Sequence, residues 1–200
     1  MRETSKAEPK IPLREKIKSV PGFFGLHLNE QPPYKILMRN GPLELRAYAA
    51  QTLAQVTIDA SFERYRKAAF MKLARYIFGD NADCTTVAMT SPVLQEDAGE
   101  SAWRMSFILP HHYTAATAPK PSDPDVRVIS QPPRVVLVMR YSGNNTERKM
   151  RAMARKLSKW IHGHPLYRQI SDVWWAQYDA PKTIPFLKRN EAHVEVLEQH

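Results

Sequence analysis

Apolar residues recur at helical spacing in two stretches of the chain and at alternate positions through most of the remainder. Across residues 61–78, Phe62, Tyr65, Ala69, Leu73, Tyr76 and Ile77 fall on one side of a helix. Across residues 145–162, Met153, Leu157, Trp160 and Ile161 do the same. A glycine follows each stretch, Gly79 or Gly163, where a left-handed C-terminal stop is expected. Tyr76-Ile77-Phe78-Gly79 and Trp160-Ile161-His162-Gly163 align at an offset of 84 residues, and the core stripes align at the same offset.

The flanks repeat as well. Val, Ile, Thr and aromatic residues alternate with polar ones over 34–39 and 43–58, with the turn signal Asn40-Gly41-Pro42 between them. The same alternation covers 126–129 and 134–141, split by Gln131-Pro132-Pro133. Strand patterns follow the first helix at 85–94 and 102–109, and the second at 173–178 and 191–197. Each half therefore reads ββαββ. The predicted fold class is α+β: duplicated ββαββ units about a pseudo-twofold axis, forming one antiparallel sheet or distorted barrel flanked by two helices. Residues 1–33 read as an N-terminal extension, and 34–118 and 119–200 as the two copies within one domain.

Composition narrows the class. The 200 residues are 43% hydrophobic and 24% charged, ordinary globular usage. Cys84 is the single cysteine, which excludes an intrachain disulfide and a cysteine-based zinc cluster. Seven glycines without a Gly-x-Gly offer no phosphate-cradling loop. No run approaches the ~18 apolar residues of a membrane span, and the basic and acidic start lacks a secretory apolar region, so a cytoplasmic chain is expected. The net charge is +9; residues 119–200 carry fourteen basic and eight acidic side chains, hence +6 of it. That excess invites an anionic partner.

The helices differ outside their core stripes. The first has a second apolar stripe, Phe70, Met71, Ala74 and Phe78, with Lys67 inside it and Arg64 and Arg75 at its edge. An apolar strip rimmed by cations suits a flat, greasy molecule bearing carboxylates, unless Phe70 and Met71 simply pack under a strand or under the N-terminal arm. The second helix instead carries Arg148, Arg151, Arg155 and Lys159 along one side, a solvated face or a weak contact for an anionic surface. No helix-turn-helix or aromatic RNA-binding pattern accompanies them, so no specific nucleic-acid partner is expected.

Several segments together resemble the SOUL/haem-binding protein family: Glu44-Leu45-Arg46-Ala47-Tyr48, Tyr76 through Asn81, Ala88-Met89-Thr90-Ser91-Pro92-Val93, Trp103 through Pro110, Tyr178-Asp179-Ala180-Pro181 and Arg189-Asn190-Glu191. The resemblance runs from about Tyr34 to Leu197. It implies a duplicated, distorted barrel that binds haem or another tetrapyrrole without covalent attachment. Its helix contacts carry over to Lys67, Phe70, Ala74 and Arg75, and a further cation to Lys182. Where some members place a histidine proposed to ligate iron, this chain has Ala47, so no metal ligand and no strong axial bond is expected. Weak ligation by His111, His112, His162 or His164 stays open.

Two other readings stand beside the tetrapyrrole carrier or buffer. One is an enzyme acting on a hydrophobic small molecule, with Glu191 as acid and base. The other is an interaction module that works through the basic second helix.

Overall fold

The computed structural model describes residues 29–99 and 101–199; His27, His200 and most of the 1–33 extension lie outside them. Strands β1 (Tyr34–Asn40), β2 (Leu43–Tyr48) and β3 (Gln51–Asp59) lead into helix α1 (Phe62–Ile77). β4 (Val93–Asp97) and β5 (Ala102–Ile108) follow, then β6 (Arg127–Gln131) and β7 (Arg134–Tyr141). Helix α2 (Glu147–His162) precedes β8 (Tyr167–Gln169), β9 (Trp174–Gln177), a 3₁₀ turn (Pro185–Leu187) and β10 (Asn190–Glu198).

All pairings are antiparallel and join ten strands in the order β1-β2-β7-β10-β9-β4-β5-β3-β6, with β8 on β10. The sheet curls into a half-barrel with both helices packed on it, an α+β fold. No helix among the described residues is long and apolar enough to cross a membrane.

Side-chain alternation gives the sheet two faces. One face packs beneath the helices: Leu43, Leu45, Trp103, Met105, Phe107, Trp175 and Val194 meet Phe62, Tyr65, Leu73 and Leu157 there. The other holds Tyr48, Leu53, Leu94, Ile108, Val136, Val138, Trp174 and Tyr178. A strap before β1 lies against this second face. Glu30 accepts from the backbone N–H of His111 at 2.8 Å, its carbonyl accepts from Ser91 N–H at 2.9 Å, and Arg189 donates to Gln31 at 3.3 Å.

The structure differs from the sequence reading at several places. The stretch 43–58 is two strands, because β2 pairs with β7 whereas β3 pairs with β5 and β6. The stretch 85–94 is mostly irregular, with one bridge between Phe78 and Thr86. Pro92 has no N–H to give a ladder, and β4 starts just after it. Gly79 takes the expected left-handed conformation (φ +106°), but Gly163 does not (φ −84°). There α2 ends in a tight turn, with the Gly163 N–H bonded to Lys159 and Trp160 carbonyls.

Candidate functional site

The second stripe of α1 is only partly covered by the rest of the protein. Phe70 and Met71 are 41% and 51% exposed, unusual for side chains this apolar, while Ala74 is buried and Phe78 half-buried. The Phe70 ring stands edge-on to Phe107 of β5 at 5.4 Å, so it neither joins the core nor leaves the protein surface. Lys67 and Arg64 are exposed along the same helix, and Arg75 lies 3.7 Å from Asp80.

Strand register extends this floor sideways. Phe107 pairs with Val93, Val93 with Gln177, and Gln177 with Asn190, so four neighbouring strands present these side chains to one face. At the far end of the row is a cleft of about 290 Å³ lined by Arg66, Gln177, Lys188 and Asn190 together with Glu63 and Asn145. Glu63 lies two helical turns, roughly 10 Å, before Phe70 on the same side of α1. The cleft and Phe70 therefore lie on one side of α1, the cleft toward its N-terminal end.

The polar end is poised for an anion. Lys188 is buried; its ammonium donates to the Asn144 side-chain oxygen at 3.0 Å and the Pro181 carbonyl at 2.8 Å, neither of them charged. Burial, then repulsion from Arg66, lowers the Lys188 pKa against an opposing pull from Asp179, and a further carboxylate arriving there would offset the two penalties. The Asn145 amide nitrogen and the Asn190 amide oxygen also line the cleft, buried and without a protein partner among the described residues. Lys182, the cation implied by the family pattern, is exposed one residue after Pro181, which lines the cleft. Lys188 is the residue that sequence reasoning missed. Phe186 and Leu187, just before it, are 74% and 42% exposed and add apolar surface to the same segment.

Position 47 belongs elsewhere. Ala47 sits on β2, five strand steps along the sheet from β5, so the helix stripe and the position of the family histidine are not neighbours in the sheet order. Among the described residues no group of three or more His, Cys, Asp or Glu side chains is arranged to hold a metal. His111 pairs with Glu30 at 3.0 Å, and His164 stacks on Trp160 at 3.7 Å.

Glu191 is fully buried on the other sheet face. Its carboxylate accepts from Arg46 at 2.9 and 3.0 Å, Arg189 at 2.7 and 2.9 Å, Tyr178 at 2.8 Å and His193 at 2.9 Å. Burial alone would raise its pKa; the His193 and Arg46 contacts outweigh that and hold it far below the usual carboxylate range. A carboxylate so fixed in its ionised form ties β10 to β2 and to Tyr178 just after β9, and is a poor proton donor. On α2, Arg151 is engaged by Glu147 and Asp97 at 2.8 and 2.9 Å, whereas Arg148, Arg155 and Lys159 are exposed and make no ion pair among the described residues.

Comparison with known proteins gives the family and the fold. The chain matches the SOUL heme-binding protein family over residues 29–195, and it belongs to that family. No curated protein matches it. Among solved structures it is similar to the C-terminal domain of EcmrR, at 10% identity and a TM-score of 0.62, covering 83% of this chain and 99% of that one. A hydrolase from Listeria innocua is similar at 8% identity and a TM-score of 0.55, covering 80% and 94%. At these identities the likeness is one of fold.

Proposed function

We propose that the groove along α1 binds haem or a related tetrapyrrole, and that the protein acts as a carrier or buffer for it. The observation that carries this reading is the exposed Phe70 on the side of α1 that also bears Glu63, which lines a cleft holding Lys188 and Arg66. The cleft is at the lower end of small-molecule pockets, ~300–1,000 Å³. A planar ligand of about 40 heavy atoms would seat its carboxylate edge there and lay its rings over Phe70 and Met71. Lys67 and the neighbouring Lys182 and Arg75 rim the rest. Apolar contact supplies most of the affinity and the cations set orientation. Family membership supports the ligand class.

The test compares haemin with its dimethyl ester, which lacks free carboxylates, in Soret titrations of wild type and Lys188→Met. The substitution should weaken haemin several-fold and leave the ester unchanged. An equal loss for both would show that Lys188 acts only on the fold.

We also read the chain as an internal duplication. The strand order supports it: exchanging β2, β3, β4 and β5 for β6, β7, β9 and β10 reproduces the central order reversed. Superposition of the two units after a roughly twofold rotation should bring α1 onto α2 with their flanking strands; displaced helices would refute it. Arg148, Arg155 and Lys159 fit a weak contact with an anionic surface. Vesicles rich in anionic lipid should sediment the protein at low salt and lose it when all three are changed to Gln.

A further inference from the structure

Two buried side chains in the cleft at the start of α2 have only one half of their amide satisfied. Asn190, fully buried, donates from Nδ2 to the Gly143 carbonyl at 2.8 Å, which fixes the orientation of its amide and leaves Oδ1, an acceptor. Asn145, 6% exposed, accepts from the Tyr141 hydroxyl on Oδ1, which leaves Nδ2, a donor. Neither Asn190 Oδ1 nor Asn145 Nδ2 has a protein partner among the described residues, and both residues line the cleft. An ionised carboxylate only accepts hydrogen bonds, so it can answer Asn145 and cannot answer Asn190.

The lining carries both signs of charge. Arg66 and Lys188 stand against Glu63, and Asp179 acts on Lys188 from outside the lining. A cleft so nearly balanced does not favour a simple anion. Lys188 uses two of its three N–H donors on the Asn144 and Pro181 oxygens. Thr146, the N-cap of α2, also lines the cleft and brings the first turn of a 16-residue helix to its wall. The amides of that turn have no partner within the helix and favour a carboxylate. Glu147, in the same turn, is engaged by Arg151 at 2.8 Å.

We propose that this cleft binds a small zwitterion, an apolar α-amino acid, with its carboxylate at Lys188, Asn145 and the start of α2, and its ammonium at Asn190 Oδ1 and Glu63. The two charges of the ligand then meet the two signs of the lining, and the ammonium supplies the donor that Asn190 lacks. The volume, about 290 Å³, is at the small end of ligand pockets. Phe70 lies one turn, roughly 6 Å, beyond Arg66, so an apolar side chain leaving the cleft along α1 meets it. The tetrapyrrole reading needs the cleft only as a seat for carboxylates; the amino-acid site is tested without haemin.

The test is a titration of the full chain with L-leucine, followed in proton–nitrogen spectra. The Asn145 side-chain amide and the backbone amides of 144–148, 188 and 190 should shift saturably. The indole N–H of Trp174, on the other sheet face, should stay still. N-acetyl-L-leucine keeps the carboxylate and an N–H but lacks the ammonium; L-leucinamide keeps the ammonium and lacks the carboxylate. Each should bind about tenfold more weakly than leucine. Glu63→Gln, at an exposed position, should weaken leucine about threefold, as for a partly exposed charge pair, and leave N-acetyl-L-leucine unchanged. A variant that only disturbs the fold would weaken both. No saturable shift up to about 50 mM leucine, well above a Kd of ~1 mM, would overturn the proposal. So would unchanged leucine affinity in folded Glu63→Gln, or affinity for either analogue equal to that for leucine. Equal binding of N-acetyl-L-leucine would mean that the cleft reads a carboxylate alone, which leaves the tetrapyrrole reading standing.

Discussion

Phe70→Ala isolates the apolar half of the proposed groove. Phe70 is 41% exposed, so of the roughly 200 Å² that a phenylalanine side chain offers, about 80 Å² faces the groove. Covering that area with a planar ligand contributes about 2 kcal/mol at ~25 cal/mol per Å², a change of roughly 30-fold in Kd. The remaining ~120 Å² rests on Phe107 and the sheet, and its loss lowers stability by up to about 3 kcal/mol. Binding is therefore measured on protein shown to be folded by circular dichroism, well below its melting onset. The assay is quenching of tryptophan emission by protoporphyrin IX. Phe70→Asp should cost more still, because it sets a desolvated carboxylate against the rings. Lys67→Ala should cost about 0–1 kcal/mol, the value of an exposed ion pair. A Phe70→Ala variant within twofold of wild type would place the ligand elsewhere. A larger loss in Lys67→Ala than in Phe70→Asp would make charge, not apolar contact, the dominant force.

Glu191→Gln should destabilise the fold by about 3–5 kcal/mol in urea unfolding, since it leaves Arg46 and Arg189 buried with one carboxylate fewer; a loss below ~1 kcal/mol would show that Glu44 suffices to balance Arg46. The Glu191 pKa is depressed on folding, so its stabilisation is complete above the ordinary value of 4.5 and is lost as pH falls below it. The urea midpoint of wild type should drop through that range, and Glu191→Gln should show a shallower drop; parallel curves would assign the acid sensitivity to other groups. Iron-free protoporphyrin should bind within about tenfold of haemin, a difference of ~1.4 kcal/mol, because Ala47 supplies no ligand. A sharp six-coordinate spectrum abolished by one histidine substitution would contradict this.

The helices were legible because a single apolar stripe against a sheet has a strong periodic signature; the α1 stripe is buried as read, while on α2 Leu157 and Ile161 are buried, Met153 and Trp160 are half-buried, and the buried Met150 was not read. The second stripe was legible too, although Ala74 turned inward while Phe70 and Met71 stayed out. Strand ends were harder. Tyr48-Ala49-Ala50-Gln51 contains no Gly, Pro, Asn or Asp, so no turn signal marks where the chain leaves one strand pairing for another. β8 is three residues of polar sequence held by its partner β10, without a pattern of its own. On β2, Glu44 and Arg46 alternate with Leu43 and Leu45 as on a half-exposed strand, yet Arg46 is completely buried. Its partner Glu191 lies 145 residues away, and only the fold brings the charges together. Lys188 was missed for the same reason. Lys182 and Lys188 lie in one segment, and which of them turns inward depends on Asn144 and Pro181 meeting the ammonium.

Paramagnetic broadening by bound haemin locates the ligand without presuming its site. Amide spectra of the protein loaded with ferric haemin are compared with those of the zinc protoporphyrin complex, which differs in the metal and is diamagnetic. Binding in the groove predicts that signals from residues 63–74 of α1, from Val93 and Phe107, and from 181–188 vanish first, while Ala47 on β2 and His193 beneath the strap persist. Broadening centred on Ala47 or His193, or spread evenly over the surface, would contradict it.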